Sequence, residues 1–166
     1  NLALDDQGRL WAWGFNWYGE LGDGSKTNRH TPVQVNLSAL GTAKVVSVQA
    51  GHNRSYALDD QGRLWAWGSN WSGELGDGSI TNRSTPVKVD LSALGTAKVV
   101  SVQAGDAHNL ALDDQGRLWA WGGNSSGQLG DGTVTTNRWT PAKVDLSALG
   151  TAKVVSVQVG GNHSLA

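Results

Sequence analysis

The string LDDQGRLWAWG occurs three times in this chain, beginning at Leu4, Leu58 and Leu112, and that repetition limits the fold more than any other feature. A second string, LSALGTAKVVSVQ, begins at Leu37, Leu91 and Leu146. Successive copies are 54 residues apart, except that the last step of the second string is 55, because the loop from Thr133 to Trp139 carries one extra residue. A period of this length belongs to solenoids and propellers, in which a unit too small to bury its own apolar face is covered by its neighbours. Asn1-Leu2-Ala3 aligns with Asn109-Leu110-Ala111 and with Ser164-Leu165-Ala166, so both ends fall within one repeated element, as expected of a segment from a longer array.

Each unit reads as four short strands. Val45, Val46 and Val48 form a β-branched run that ends at Ala50-Gly51. Ser55 to Leu58 and Arg63 to Trp67 flank the turn Asp59-Asp60-Gln61-Gly62, with glycine where a positive φ is required. After a long loop rich in Gly, Asn and Ser, Thr85 to Val89 closes the unit, and Pro86 marks it as an edge strand because it has no N–H for a central ladder. In the third strand Leu64 and Ala66 point to one face and Trp65 and Trp67 to the other, so both faces need covering. Only the short Leu91–Leu94 segment has a helical period, which disfavours a helical solenoid. The expected class is all-β: tandem four-stranded antiparallel sheets stacked as about three β-propeller blades, a partial ring or one completed by another chain. The whole of 1–166 is one array, divided into a partial blade (1–40), blades at 41–94 and 95–149, and the start of a further blade (150–166).

Composition removes several function classes. Thirteen basic against fourteen acidic residues leave a net charge of −1, which disfavours nucleic acid or a membrane surface as partner. With no Cys there are no disulfides, thiolate metal sites or thiol nucleophiles. The redox compartment is left undetermined, with a lean towards an extracellular or cell-surface setting. No apolar run is long enough to span a membrane as a helix. His108 and His163 recur at one repeat position and read as structural hydrogen-bonders of the inner turn, since a catalytic base is needed once. The Gly-Asp-Gly loops at Asp23, Asp77 and Asp131 lack the alternating acids of a calcium loop, and Gly19 to Gly24 lacks the setting of a phosphate loop. Asp59 and Asp60 read as a solvated turn rather than paired catalytic carboxylates. No enzyme activity, metal or cofactor is expected.

The pattern A-G-x-x-H-S/N-L-A-L, D-x-x-G-x-L-W-x-W-G-x-N-x-x-G-x-L-G-x-G and T-P is carried by Ala104-Gly105, His108 to Leu112, Asp114, Gly116, Leu118, Trp119, Trp121-Gly122, Asn124, Gly127, Leu129-Gly130, Gly132 and Thr140-Pro141. It resembles the repeat of the regulator of chromosome condensation family over the whole chain. The resemblance implies a seven-bladed propeller, of which three repeats are less than half. The eponymous member is a guanine-nucleotide exchange factor for a small GTPase that binds chromatin, and a bacterial β-lactamase inhibitor protein is similar. Arg54 stands where the family has His, so the inner turn of that blade is expected to be locally remade.

Variation between copies segregates by rim. In an antiparallel four-stranded blade the 1–2 and 3–4 loops leave at one end and the other connections at the opposite end. The opposite rim is nearly constant, whereas the first rim changes at Phe15/Ser69/Gly123, Trp17/Trp71/Ser125, Tyr18/Ser72/Ser126, Lys26/Ile80, His30/Ser84/Trp139 and His52-Asn53-Arg54/Asp106-Ala107-His108. A constant scaffold carrying variable aromatic loops is the layout of an interaction surface. The binding residues expected there are Phe15, Trp17, Tyr18, His30, His52, Asn53, Arg54, Trp71, Ile80 and Trp139, and the expected role is a non-catalytic scaffold with a protein partner. Three alternatives stand beside it: carbohydrate binding by the same aromatics, nucleotide exchange, and structural assembly by self-association through open blade edges. Trp17 and Trp71 have a further option of packing back across neighbouring blades.

Overall fold

A computed structural model describes all residues from Asn1 to Ala166. Strands β1 (Leu2–Leu4), β2 (Leu10–Gly14) and β3 (Arg29–Gln34) form a first, three-stranded sheet. A second sheet contains β4 (Val45–Ala50), β5 (Arg54–Asp59), β6 (Leu64–Gly68) and β7 (Arg83–Lys88) in sequential order. The third repeats it with β8 (Val99–Ala104), β9 (His108–Asp113), β10 (Leu118–Gly122) and β11 (Arg138–Lys143), and β12 (Gln158–Val159) with β13 (Ser164–Leu165) begins a fourth. All pairings are antiparallel, and the sheets do not close into a ring. No helix is long and apolar enough to cross a membrane.

The fourth strand begins at Arg83, two residues before the sequence placed it. A bulge between Ala66 and Gly68 lets Arg83 pair with Gly68, which extends the ladder into the loop. Pro86 lies in the outermost strand, β7, whose free edge needs no N–H there. A second bulge, between Val45 and Ser47, throws Val46 out of the ladder and leaves it 55% exposed.

Burial on both faces of the third strand sets how the sheets stack. Trp65 and Trp67 join Leu10, Ala12, Leu21 and Val35 in the core between the first two sheets. Leu64 and Ala66 face the other way and join Ala111, Trp119 and Trp121 between the second and third. Each sheet thus offers a tryptophan pair backward and a Leu/Ala pair forward. Burial of each large ring removes some 150–250 Å² from water, which makes these seams the main source of stability.

Hydrogen bonds fix the seams in register. The Trp67 indole N–H and the Ser55 hydroxyl donate to Glu20 O at 2.8 and 2.9 Å, and Trp121 Nε1 and Asn109 Nδ2 do the same to Glu74 O at 2.7 and 2.8 Å. A Cβ on Gly73 would lie 2.7 Å from Trp139 Cα, so only glycine allows this loop, with φ of +81°, to seat on the next sheet.

Candidate functional site on the loop-bearing rim

The loop from Gly68 to Arg83 is long but not loose, because a buried asparagine fastens it. Asn70 is fully buried; its Nδ2 donates to Ser79 O at 3.0 Å and Thr81 O at 3.1 Å, and its Oδ1 accepts from Leu75 N at 2.8 Å. Its own amide donates to Asn82 Oδ1 at 2.8 Å, while the Glu74 carboxylate accepts from Ser72 N at 2.7 Å. Asp77 accepts from the amide and hydroxyl of Ser79 and pairs with the Arg83 guanidinium at 2.8 Å. Burial acts to raise the Asp77 carboxyl, but the bonds from Ser79 and Arg83 outweigh it and hold the group below the usual carboxylate range. The same frame recurs on Asn16, Glu20, Asp23 and Arg29, and on Asn124, Gln128, Asp131 and Arg138.

Side chains between these fixed points are free of the frame. Trp17 and Trp71 are 66% and 70% exposed, so neither packs back across the neighbouring sheet. Phe15 stands beside Trp17 with ring centroids 5.5 Å apart and beside half-buried Tyr18 at 6.3 Å, forming one aromatic cluster. Ile80 and Trp139 are half exposed, with Trp139 resting one edge on Gly73. His30 and His52 are exposed and Asn53 is half-buried. The bonds from Ser69 N to Asn53 O and from Gly123 N to Ala107 O bring the 1–2 and 3–4 loops to one end of each sheet.

Arg54 is a correction to the expected surface. It is 2% exposed, and its guanidinium crosses the seam to donate to Asp106 O (2.7 Å), Gly105 O (3.0 Å), His108 O (3.0 Å) and Asn109 Oδ1 (3.1 Å). It remakes the neighbouring blade's turn rather than its own, and it is unavailable as an exposed anchor. His108 likewise ties adjacent sheets together, not its own turn. Its Nε2 lies 3.0 Å from Ser164 Oγ, whose hydroxyl donates to Gln128 O at 2.8 Å. Burial, reinforced by the Arg54 charge, pushes the His108 pKa down to about 4, so the neutral ring donates from Nε2. Ser164, with its proton on a carbonyl and a donor on its oxygen, is not set up as a nucleophile.

The opposite rim is built from the constant strings. Asp59, expected to be solvated, is 1% exposed: its carboxylate accepts the amides of Gln61 and Arg63, Arg63 Nε at 2.6 Å and Trp65 Nε1 at 2.9 Å. This hydrophilic clip, with Arg63 stacked 5.4 Å over the Trp65 ring, explains why the turn is identical in every copy. An open cleft of about 500 Å³ lies here between Gln61–Arg63 and Lys88–Lys98, and recurs between Gln115–Arg117 and Lys143–Lys153. Each cleft is lined by two lysines and one arginine against a single aspartate, Asp90 or Asp145. No group of three or more His, Asp or Glu side chains is placed to hold a metal ion.

Comparison with known proteins agrees with this architecture. The family model described as regulator of chromosome condensation (RCC1) repeat matches residues 7–58, 61–112 and 115–166. The chain is 31% identical over 168 residues to the RCC1 domain-containing protein RUG3, mitochondrial, of Arabidopsis thaliana, covering 99% of this chain and 37% of that protein. It is 36% identical over 165 residues to the human E3 ubiquitin-protein ligase HERC2, covering 99% of this chain and 3% of the ligase. Among solved structures, human WBSCR16 superposes with a TM-score of 0.83 at 25% identity, over 98% of this chain and 40% of that one. Saccharomyces cerevisiae Prp20p, whose structure was described with its binding to Gsp1p and histones, superposes at 0.81 and 22% identity, with the same coverage. The chain therefore spans well under half of each of these proteins, and by the match of all three units it belongs to the regulator of chromosome condensation (RCC1) repeat family.

Proposed function

We infer that this chain is a non-catalytic scaffold that binds a protein partner through its loop-bearing rim, with Phe15, Trp17, Tyr18, Trp71 and Trp139 as anchors and His30, His52, Asn53 and Ile80 around them. One observation carries the reading: large aromatics stand in water on loops whose backbones are fastened by buried Asn16, Asn70 and Asn124. Exposing Trp17 and Trp71 gains the fold nothing, while a rigid frame lowers the entropy lost when a partner docks on them. Similar propellers support a protein as the partner, since Prp20p is described as binding Gsp1p and histones and as bound by Kap60.

The test replaces Phe15, Trp17 and Trp71 by the Gly and Ser residues of the third copy, and compares photo-crosslinking from the rim with crosslinking from Lys98 on the opposite rim. A protein captured from the rim alone and lost in the triple variant is the expected result. Equal capture from both rims, or capture untouched by the triple variant, would refute the reading. The same exposed rings also favour carbohydrate binding as a second reading, and a glycan array on the wild type and triple variant separates the two.

A further inference from the structure

The second seam lies between the two complete four-stranded sheets, and on the loop-bearing rim it gathers apolar groups from both of them. Trp71 stands two residues ahead of Gly73, the glycine on which Trp139 of the next sheet rests. Ile80 follows Gly78 by two residues, and the Gly78 amide donates to Trp139 O at 3.0 Å. All three side chains are exposed, although the sheet that carries Trp71 and Ile80 is packed on both of its faces. The same places at the first seam hold Trp17, Lys26 and Ser84. Of the two, the second seam alone pairs two indole rings and has an apolar residue in place of the lysine.

Hydrogen-bonding capacity decides what such a surface takes. The indole N–H groups of Trp65, Trp67, Trp119 and Trp121 are spent inside the fold, whereas those of Trp71 and Trp139 donate to nothing within the chain. The acceptors of the loop from Gly68 to Arg83 are already used: Asn70 Oδ1 accepts from Leu75 N, Asn82 Oδ1 from Asn70 N, and the Asp77 carboxylate from Ser79 and Arg83. Glu74 is buried and accepts from Ser72 N. The loop therefore presents apolar faces and free donors, while its carboxylate and carboxamide oxygens are turned inward. A saccharide carries a hydroxyl donor on most of its carbons, and an ordinary peptide carries an N–H on every residue, so both need acceptors that this loop does not offer. Proline does not need them: its tertiary amide has a carbonyl acceptor and no N–H, and its ring is an apolar plate that fits an indole face.

We propose that the rim of the second seam is a docking site for a proline-rich protein segment in the extended polyproline conformation, with pyrrolidine rings against Trp71, Ile80 and Trp139 and backbone carbonyls accepting from the two indole N–H groups. Such a segment is already extended in water, and the loop it meets is fastened by Asn70, so neither side loses much freedom on binding. Aromatic-lined surfaces are the general means of holding proline-rich chains. The three side chains carry no charge, so the contact is insensitive to salt. This inference rests on the loop-rim reading above and gives its protein partner a chemistry.

An oligoproline peptide of about ten residues is titrated into the 166-residue chain, following the indole N–H signals by NMR, beside a glycine–serine peptide of equal length and beside chitotriose. Saturable shifts are expected at Trp71 and Trp139 but not at Trp17, with the apparent Kd changing less than about twofold between about 0.05 and 0.5 M salt. Trp71→Ser and Trp139→Ser, which copy Ser125 and Ser84, each weaken binding at least about tenfold while the buried Trp67 and Trp121 signals stay in place. Trp71→Phe, which keeps an aromatic ring but not the donor, weakens it about threefold to tenfold, and Trp17→Ser leaves it unchanged. Chitotriose or the glycine–serine peptide binding as tightly as oligoproline, or oligoproline binding that survives Trp139→Ser, would overturn the assignment. A chain that captures a protein through the rim by crosslinking but ignores oligoproline overturns it as well, and leaves the broader reading standing.

Discussion

The indole N–H of Trp67 donates to the carbonyl oxygen of Glu20 at 2.8 Å across 47 residues of sequence, and Trp121 repeats the bond to Glu74 at 2.7 Å. Both rings are fully buried, and each carbonyl also takes a second side-chain donor from the same neighbouring sheet. Trp67→Phe keeps most of the apolar area but forfeits the bond and leaves a gap. A loss of about 1.5–3 kcal/mol is expected, rising to about 3–5 for Trp67→Ala, read from urea midpoints at constant m.

Arg54 makes four hydrogen bonds to the third sheet while almost completely buried. Arg54→Ala leaves Asp106 O, Gly105 O and Asn109 Oδ1 short of donors and should cost about 3–5 kcal/mol in chemical denaturation. Arg54→Lys recovers less than half of that, because a point ammonium cannot reproduce the fork. If the alanine variant unfolds like the wild type, the cross-seam role assigned to Arg54 is wrong.

The exposed rim behaves in the opposite way. Trp71→Ser copies Ser125 of the next repeat, and the ring it removes is 70% in water. Its effect on the urea midpoint should correspond to about 0.5 kcal/mol or less. A large destabilisation would mean the ring is part of the fold rather than a displayed group.

Acid should weaken the protein in two stages. His108, ordinarily near 6.5, is pushed down to about 4, so below pH 6.5 the unfolded chain takes up a proton that the folded chain refuses. Stability is complete above pH 6.5, declines as pH falls towards 4, and is no longer affected by this group below that. The carboxyls of Asp59, Asp77, Asp113 and Asp131 are held below their ordinary 3.8 against the opposing pull of burial. Their contribution is lost at lower pH, as it falls through their folded values. Urea midpoints from pH 7.5 to 4.5 should drop for the wild type and stay nearly flat for His108→Gln.

Gly73 and Gly127 separate backbone strain from seam packing. Both have positive φ, +81° and +74°, but an added Cβ meets Trp139 Cα at 2.7 Å in one case and nothing nearer than 3.8 Å in the other. Each Ala substitution carries about 1–2 kcal/mol of left-handed strain. Gly73→Ala should lose at least about 1 kcal/mol more than Gly127→Ala in paired denaturation curves.

Strand order, the glycine turn and the edge position of Pro86 were legible because each follows from local periodicity or from one residue's covalent chemistry. The buried role of Arg54 was not legible, since its acceptors are mainly backbone carbonyls more than fifty residues away and carbonyls have no sequence signature. Asp59 was misread for a related reason: an Asx turn looks the same in sequence whether its carboxylate faces water or an indole. The loop frame did leave a signal. Asn16, Gly19, Leu21, Gly22, Asp23, Asn28 and Arg29 recur unchanged in all copies amid variable neighbours, and that constancy marks a fastened loop.

Because the tryptophan-to-carbonyl contacts of the two seams recur from copy to copy, while the exposed positions at 17 and 26 take no part in them, the two sets can change independently. Duplicating a unit supplies a ready-made fit to its neighbours, and later substitutions at the display positions leave that fit untouched. Such an array can diversify what it recognises by copying and editing, with no need to reinvent how its parts hold together.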